Sequence, residues 1–300
     1  MNKKQKAKII DILLLCMIIL PFVFCMALKV LTKPAADGIS ITGAQIYFSI
    51  PMPVMELIIS EAQVTSCAVI ISLTGLCLYL THGISVIPSS KRQLAAEWIV
   101  EKVNALVEDN MGKRFMAYAP FVAAIMGLSA FSSLSSLLGL FPPTSDINIV
   151  GGWAILVFIL ITYYKMKCGP LYYLKGFTEP VALLAPINFI SEFATPLSMA
   201  FRHYGNILSG TVISVLLAAG LGGLSSMLLG ALPGFLGDIP FLQIGIPAVL
   251  SLYFDIFSGC MQAYIFAMLT MLNISGAFPE EEYEKRMQKK LLKKQKIKNI

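Results

Sequence analysis

The chain has 300 residues, 57% of them hydrophobic and 13% charged, with a mean hydropathy of +0.76 and a formal net charge of +6. Soluble domains carry about 25% charged residues, so a water-soluble core is excluded and most of the chain is built for lipid. The positive balance does not point to nucleic acid, because the basic residues fall in short clusters between apolar runs, where they set orientation and meet anionic lipid.

A spanning helix needs roughly 20 apolar residues. The first such run, residues 12–28, follows Lys3, Lys4, Lys6 and Lys8. No small-residue cleavage site succeeds it, which favours a retained helix over a signal peptide. Residues 32–60 hold Pro34, Gly38, Gly43, Pro51 and Pro53 and read as an extramembrane connector; residues 39–50 alternate weakly, like a short strand or an extended loop. A second span covers about residues 62–87. In residues 91–110, Leu94, Ala95, Trp98, Ile99, Val103, Leu106 and Val107 recur at helical spacing, opposite Gln93, Glu97, Glu101, Asn104 and Glu108. That pattern is an amphipathic helix on the membrane surface, with Trp98 at headgroup depth.

The third span, about 115–141, stops at Pro142-Pro143, and a tight polar loop leads to the fourth, about 149–164. Two longer apolar stretches follow. One runs over about 180–236, broken at Gly220, Gly222, Gly223, Pro233 and Gly234; the other covers about 240–278. Each exceeds what a vertical helix needs, so both tilt strongly or run partly along the membrane plane. The tail, 280–300, is charged and helical in composition. Anionic lipid and neighbouring subunits stand open as its contacts, beside a plain solvated helix.

Six crossings with the N-terminus inside place all but three of the 23 Lys and Arg on the inner face. Lys29 and Lys33 lie outside, and Arg202 sits within an apolar run. This one topology satisfies the positive-inside rule. The fold expected is an all-α integral membrane protein of about six crossing helices plus one amphipathic helix on the cytoplasmic surface.

Arg202 is the residue that most demands a function. An arginine at bilayer depth costs at least ~2.5 kcal/mol and usually faces a bundle interior or a water-filled cavity. Snorkelling to an interface is the bland alternative, and more than twenty uncharged residues separate Arg202 from Asp238. Ser198, Arg202, Asn206 and Ser209 or Gly210 share a helix face, and Gly205, Ser209 and Gly210 permit close approach of another helix. On the last helix, Asp255, Ser258, Gly259, Gln262 and Phe266 recur at helical spacing, with Asp255 and Gln262 about 10 Å apart on one face. An acid and an amide so placed suit a hydrated ion path; a structural pair is the alternative. Glu192 lies ten residues before Arg202, about 15 Å toward the inside, as a path acid or an interfacial acid. His82 and His203 read as structural or interfacial.

No P-loop, H-E-x-x-H or G-x-S-x-G is present. No cofactor or metal is expected, and the six cysteines lack metal-ligand spacing.

Four segments are similar to subunit a of F-type ATP synthases: 201–206, FRHYGN; 262–270, QAYIFAMLT; 142–148, PPTSDIN; and Pro196-Leu197-Ser198. The resemblance covers about residues 60–278. It implies a stationary subunit packed against a rotating ring of c subunits, with the last two helices forming a long tilted hairpin along that ring. Arg202 matches the essential arginine that separates two offset half-channels and favours the ionised form of the passing c-ring carboxylate. Asn206 and Gln262 match its polar neighbours, and Glu192 falls where relatives often carry an acid on the cytoplasmic half-channel. Many members have a glutamate nine residues after the arginine, where this chain has Thr211; Asp255 is therefore read as the main acid of the outer half-channel.

The resemblance further implies the b subunits of the peripheral stalk and the remainder of the synthase as partners, in a bacterial plasma membrane with both termini cytoplasmic. The organisation expected is 1–61, an extra N-terminal helix and connector; 62–279, the subunit a membrane domain; and 280–300, the basic tail. The choice between H⁺ and Na⁺ belongs mainly to the ring site. The competing reading is a self-contained ion channel or secondary transporter, using Arg202 and Asp255 as an internal pair.

Overall fold

A computed structural model describes residues 3–32, 43–53, 56–86, 90–178, 182–229, 245, 247, 249, 250 and 252–298. In chain order these form α1 (Lys3–Thr32), a hairpin of β1 (Ile46–Ile50) and β2 (Leu57–Ser60), α2 (Glu61–Thr81), α3 (Lys91–Met111), α4 (Ala119–Leu134), α5 (Ile147–Lys165), α6 (Pro170–Phe177) and α7 (Ala185–Leu229). A π-helical turn (Tyr253–Ser258) then leads directly into α8 (Gly259–Gly276), and α9 (Glu280–Lys298) follows. Among the described residues six helical segments are long and apolar enough to cross a membrane. The chain is a polytopic helical membrane protein.

The connector is partly ordered into strand, since β1 and β2 pair antiparallel. Residues 39–42 of the expected strand region lie outside the described residues. Gln63 accepts the Ser60 N–H at 3.2 Å and closes the start of α2. α1 packs lengthwise on α2, helped by Gly75, where an added Cβ would lie 3.2 Å from Met17, and by a Ser72 Oγ bond to the Ile18 carbonyl at 2.7 Å. The main core lies among α3, α4, α5 and α8, around Val107, Val122, Val157, Phe266 and Met271.

Ion pairs fix which helix ends share a side. At one end, Asp11 of α1 meets Arg92 of α3 at 2.8 Å and His82, just past α2, at 3.5 Å. At this same basic end Arg114, ahead of α4, pairs with Glu280 of α9 at 3.1 Å, and Lys165 of α5 pairs with Glu192 of α7 at 2.6 Å. At the opposite end, Lys29 of α1 pairs with Glu61 of α2 at 2.8 Å and donates to the Gly139 carbonyl at 2.7 Å. Glu61 also accepts from the Phe141 N–H at 3.0 Å. The helices therefore alternate in direction.

Two expectations need correction. The helix does not break at Gly220, Gly222 or Gly223: α7 is continuous over 45 residues, roughly 68 Å at the α-helical rise. That is more than twice the ~30 Å of a hydrocarbon core, so α7 must tilt. The breaks expected at Pro233 and Gly234, and the turn between the last two long helices, lie outside the described residues. In α3, Gln93 is buried although it belongs to the expected polar face, whereas Leu94 and Trp98 of the apolar face are each about 60% exposed, as a face laid on the membrane surface requires. Gln93 bonds the Ser85 carbonyl and Glu97, the latter at 2.7 Å, so it joins the loop after α2 to α3. α6 was not anticipated.

Candidate functional site

Arg202 lies two-fifths of the way along α7 on a surface that the other described residues leave open. It is exposed, as are Ser198, Asn206 and Ser209 on the same face, with Leu197, Phe201, Ile213 and Leu216 around them. Among the described residues Arg202 makes no ion pair and no hydrogen bond. An internal pair with Asp255 is therefore not formed, contrary to what the channel or transporter reading needs.

The next residue faces into the bundle. His203 is completely buried, with Nε2 3.3 Å from Ser129 Oγ of α4. Trp153 of α5 and Phe266 of α8 meet its ring edge-to-face, at centroid distances of 6.1 and 5.5 Å. Successive helical residues point about 100° apart, so the pocket around His203 fixes the outward direction of Arg202. Of the structural and interfacial readings of His203, its complete burial fits the structural one.

One turn further, Asn206 Nδ2 donates to Ser258 Oγ at 2.8 Å. At Gly210 an added Cβ would lie 3.3 Å from Phe254. α7 and the π turn are thus in direct contact, through Gly210; Gly205 has open space where its Cβ would be. Asp255 is half-buried inside the π turn, and Gln262 is 4% exposed on α8. The π turn widens the helix to i→i+5 pairing. It rotates Asp255 relative to Gln262, so the single face inferred from α-helical spacing does not run straight between them. Gly259, at the end of this turn, lies so close to α4 that an added Cβ would be 2.7 Å from Ser133 Cβ. Ser133 in turn approaches Thr144 at 3.4 Å. Asp255, Ser258, Asn206, Ser133 and Thr144 thus stand on mutually packed elements, on the side of Arg202 away from the basic end.

Toward the basic end, Glu192 lines a cavity of about 540 Å³ together with Lys165, Tyr173, Asn188, Ser191 and Asn273. Its side chain is 8% exposed. It accepts from Lys165 Nζ at 2.6 Å, and Tyr173 Oη lies 3.5 Å from its second oxygen. Burial, and then the Glu192 carboxylate, push the Tyr173 phenol up from its usual range. Pro196 has no N–H to give the Glu192 carbonyl. The cavity partners were not legible in the sequence, because Lys165 and Glu192 belong to different helices and the basic cluster around Lys165 read as an orientation signal.

The site residues therefore fall into two polar groups, with Arg202 between them along α7. The family described as ATP synthase A chain matches residues 62–275. The chain belongs to this family. Relatives include ATP synthase subunit a of Priestia megaterium, 35% identical over 71% of this chain and 88% of that protein. The subunit a of Bacillus pumilus is 32% identical over 73% and 91%, and an ATP synthase subunit a 2 of a Bradyrhizobium species is 28% identical over 73% and 89%. As a member, the chain is a multi-pass subunit of the membrane sector of an F-type ATP synthase, in a bacterial membrane. It is not itself the catalytic part, and the rest of that complex is its partner. Residues 3–32 of α1 and 280–298 of α9 lie outside the matched region.

Proposed function

We propose that this chain is the ion-translocating stator of the motor, offering two offset half-channels to the carboxylates of a c-subunit ring, with Arg202 between them. The observation that carries the reading is the outward-facing Arg202 on an apolar helix surface, unpaired among the described residues. A charge so placed calls for an anionic partner in trans, because lipid alone leaves it at a cost of at least ~2.5 kcal/mol. A ring carboxylate supplies that partner, and the arginine in return favours its ionised form as it passes. The same charge blocks a direct run of cations between the two polar groups.

The outer half-channel is assigned to Asp255, Asn206 and Gln262, with the hydroxyls of Ser258, Ser133 and Thr144 near them. The inner one is the cavity at Glu192. Both termini are assigned to the cytoplasm, since the basic clusters meet there, and the b subunits of the peripheral stalk are assigned as further partners. Nothing in the geometry favours a self-contained transporter, which would need its own counter-charge for Arg202.

The test is ion-driven ATP synthesis in vesicles carrying the whole complex, wild type against Arg202→Ala, with ring copurification as the assembly control. An assembled variant that has lost coupled synthesis is the expected result. An assembled variant that synthesises normally overturns the stator reading.

A further inference from the structure

We propose that α9 is an anionic-lipid-binding helix, docked at the basic end of the bundle so that its lysine-rich part lies on the membrane surface. The attachment is specific. Arg114 pairs with Glu280 at 3.1 Å and Glu284 at 3.3 Å, and its guanidinium sits 4.9 Å over the Phe278 ring. Arg286 pairs with Glu282 at 2.8 Å, donates to the Cys168 carbonyl, and lies 5.7 Å from the Tyr172 ring. Arg114 precedes α4, and Cys168 follows α5, so these contacts hold the start of α9 at the ends of two membrane-crossing helices.

The docking and the pairs within the helix engage its acids together with Lys285 and Arg286, all in the first turns, and the later lysines follow them. Glu280, Glu282 and Glu284 are engaged as above, and Glu281 is 3.9 Å from Lys285. No acidic residue follows Glu284, while Lys289, Lys290, Lys293, Lys294, Lys296 and Lys298 do. Met287, Leu291 and Leu292 are 43%, 57% and 59% exposed among these bases. A helix with apolar side chains interleaved with lysines, starting at the membrane boundary, complements the negative surface of a bilayer in charge and in apolar depth. The inference does not depend on the roles given to Arg202 or the half-channels.

The test is amide hydrogen exchange of α9 in the full chain within its complex. The complex is reconstituted into vesicles of phosphatidylcholine alone or mixed with anionic phosphatidylglycerol, at low and high salt. Residues 287–298 should exchange at least about tenfold more slowly in the anionic vesicles at low salt, given about fivefold per lysine near such a surface. High salt should remove the protection. A variant with Lys289, Lys290, Lys293 and Lys294 all changed to Gln should lose it, and the same four changed to Arg should keep it. Equal exchange in both lipids overturns the proposal in favour of a solvated helix. Protection independent of lipid but lost on removing other subunits overturns it in favour of a protein contact.

Discussion

Lys165 donates to Glu192 at 2.6 Å across the junction of α5 and α7, closing one wall of the cavity at the basic end. Removing one member of a buried ion pair leaves the other uncompensated. Lys165 is 35% exposed on its side chain, so water reduces that cost. Lys165→Met should therefore destabilise the assembled complex by about 1–2 kcal/mol. Adding Glu192→Gln should restore part of the loss. Thermal unfolding of the four members of the double-mutant cycle measures the coupling; additive effects would mean that the pair contributes nothing.

The close approach of Gly259 to Ser133 predicts a steric asymmetry between two glycines. Gly259→Ala should cost about 1–3 kcal/mol, because the new methyl sits 2.7 Å from Ser133 Cβ. Gly205→Ala meets nothing within 4 Å among the described residues, so the isolated subunit should keep its stability. Loss of ATP synthesis in a Gly205 variant of unchanged stability then reports on a surface other than these residues. Comparing thermal unfolding of each variant with its synthesis rate separates the two effects.

At the opposite end, Glu61 is 4% exposed and holds both Lys29 and the Phe141 N–H. Glu61→Ala should loosen α1 from the body, costing about 1–3 kcal/mol, while Glu61→Gln, which still accepts the N–H, should cost less. Hydrogen exchange of residues 26–32 gives the readout. Equal exchange in wild type and Glu61→Ala would show that packing along α1, not this cluster, holds the helix.

Acid should undock α9. The hydrogen bond and charge of Arg286, with Lys285 and Lys289 nearby, hold Glu282 below the usual carboxylate range. A depressed folded value means that its contribution is present above the unfolded value of about 4.3 and is lost as pH falls through the folded one. The protection of residues 280–286, corrected for the intrinsic pH dependence of amide exchange, should therefore fall below about pH 4, and Glu282→Gln should weaken that dependence. A protection factor at residues 280–286 that stays constant in this window would dismiss the role of the Glu282–Arg286 pair.

Much of the architecture was legible because membrane insertion is governed by length and polarity, which a sequence displays directly. Residues 62–87 and 149–164 foretell α2 and α5 to within a few positions at most boundaries, and Arg202 stood out as a lone charge in an apolar run. What stayed hidden depends on neighbours. The π turn at Tyr253–Ser258 comes with packing against Gly210 and a bond to Asn206, none of which local spacing encodes. Gln93 is polar yet buried, because its partners Ser85 and Glu97 are supplied by a loop and a helix turn. Gly220, Gly222 and Gly223 disfavour helix by about 1 kcal/mol each, but they lie in a long helix that has nothing better to do with its backbone groups in lipid. The pairs Lys29–Glu61 and Lys165–Glu192 join residues 32 and 27 positions apart, a separation at which only the folded bundle brings charges together.

The outward face of Arg202 also bears on biogenesis. A newly inserted copy would present a bare guanidinium to acyl chains until a counter-charge arrives, and bilayer thinning or water defects would gather around it meanwhile. On the proposed reading, a copy joined to its ring would cover that charge, so the cost of inserting this helix would be relieved only on assembly.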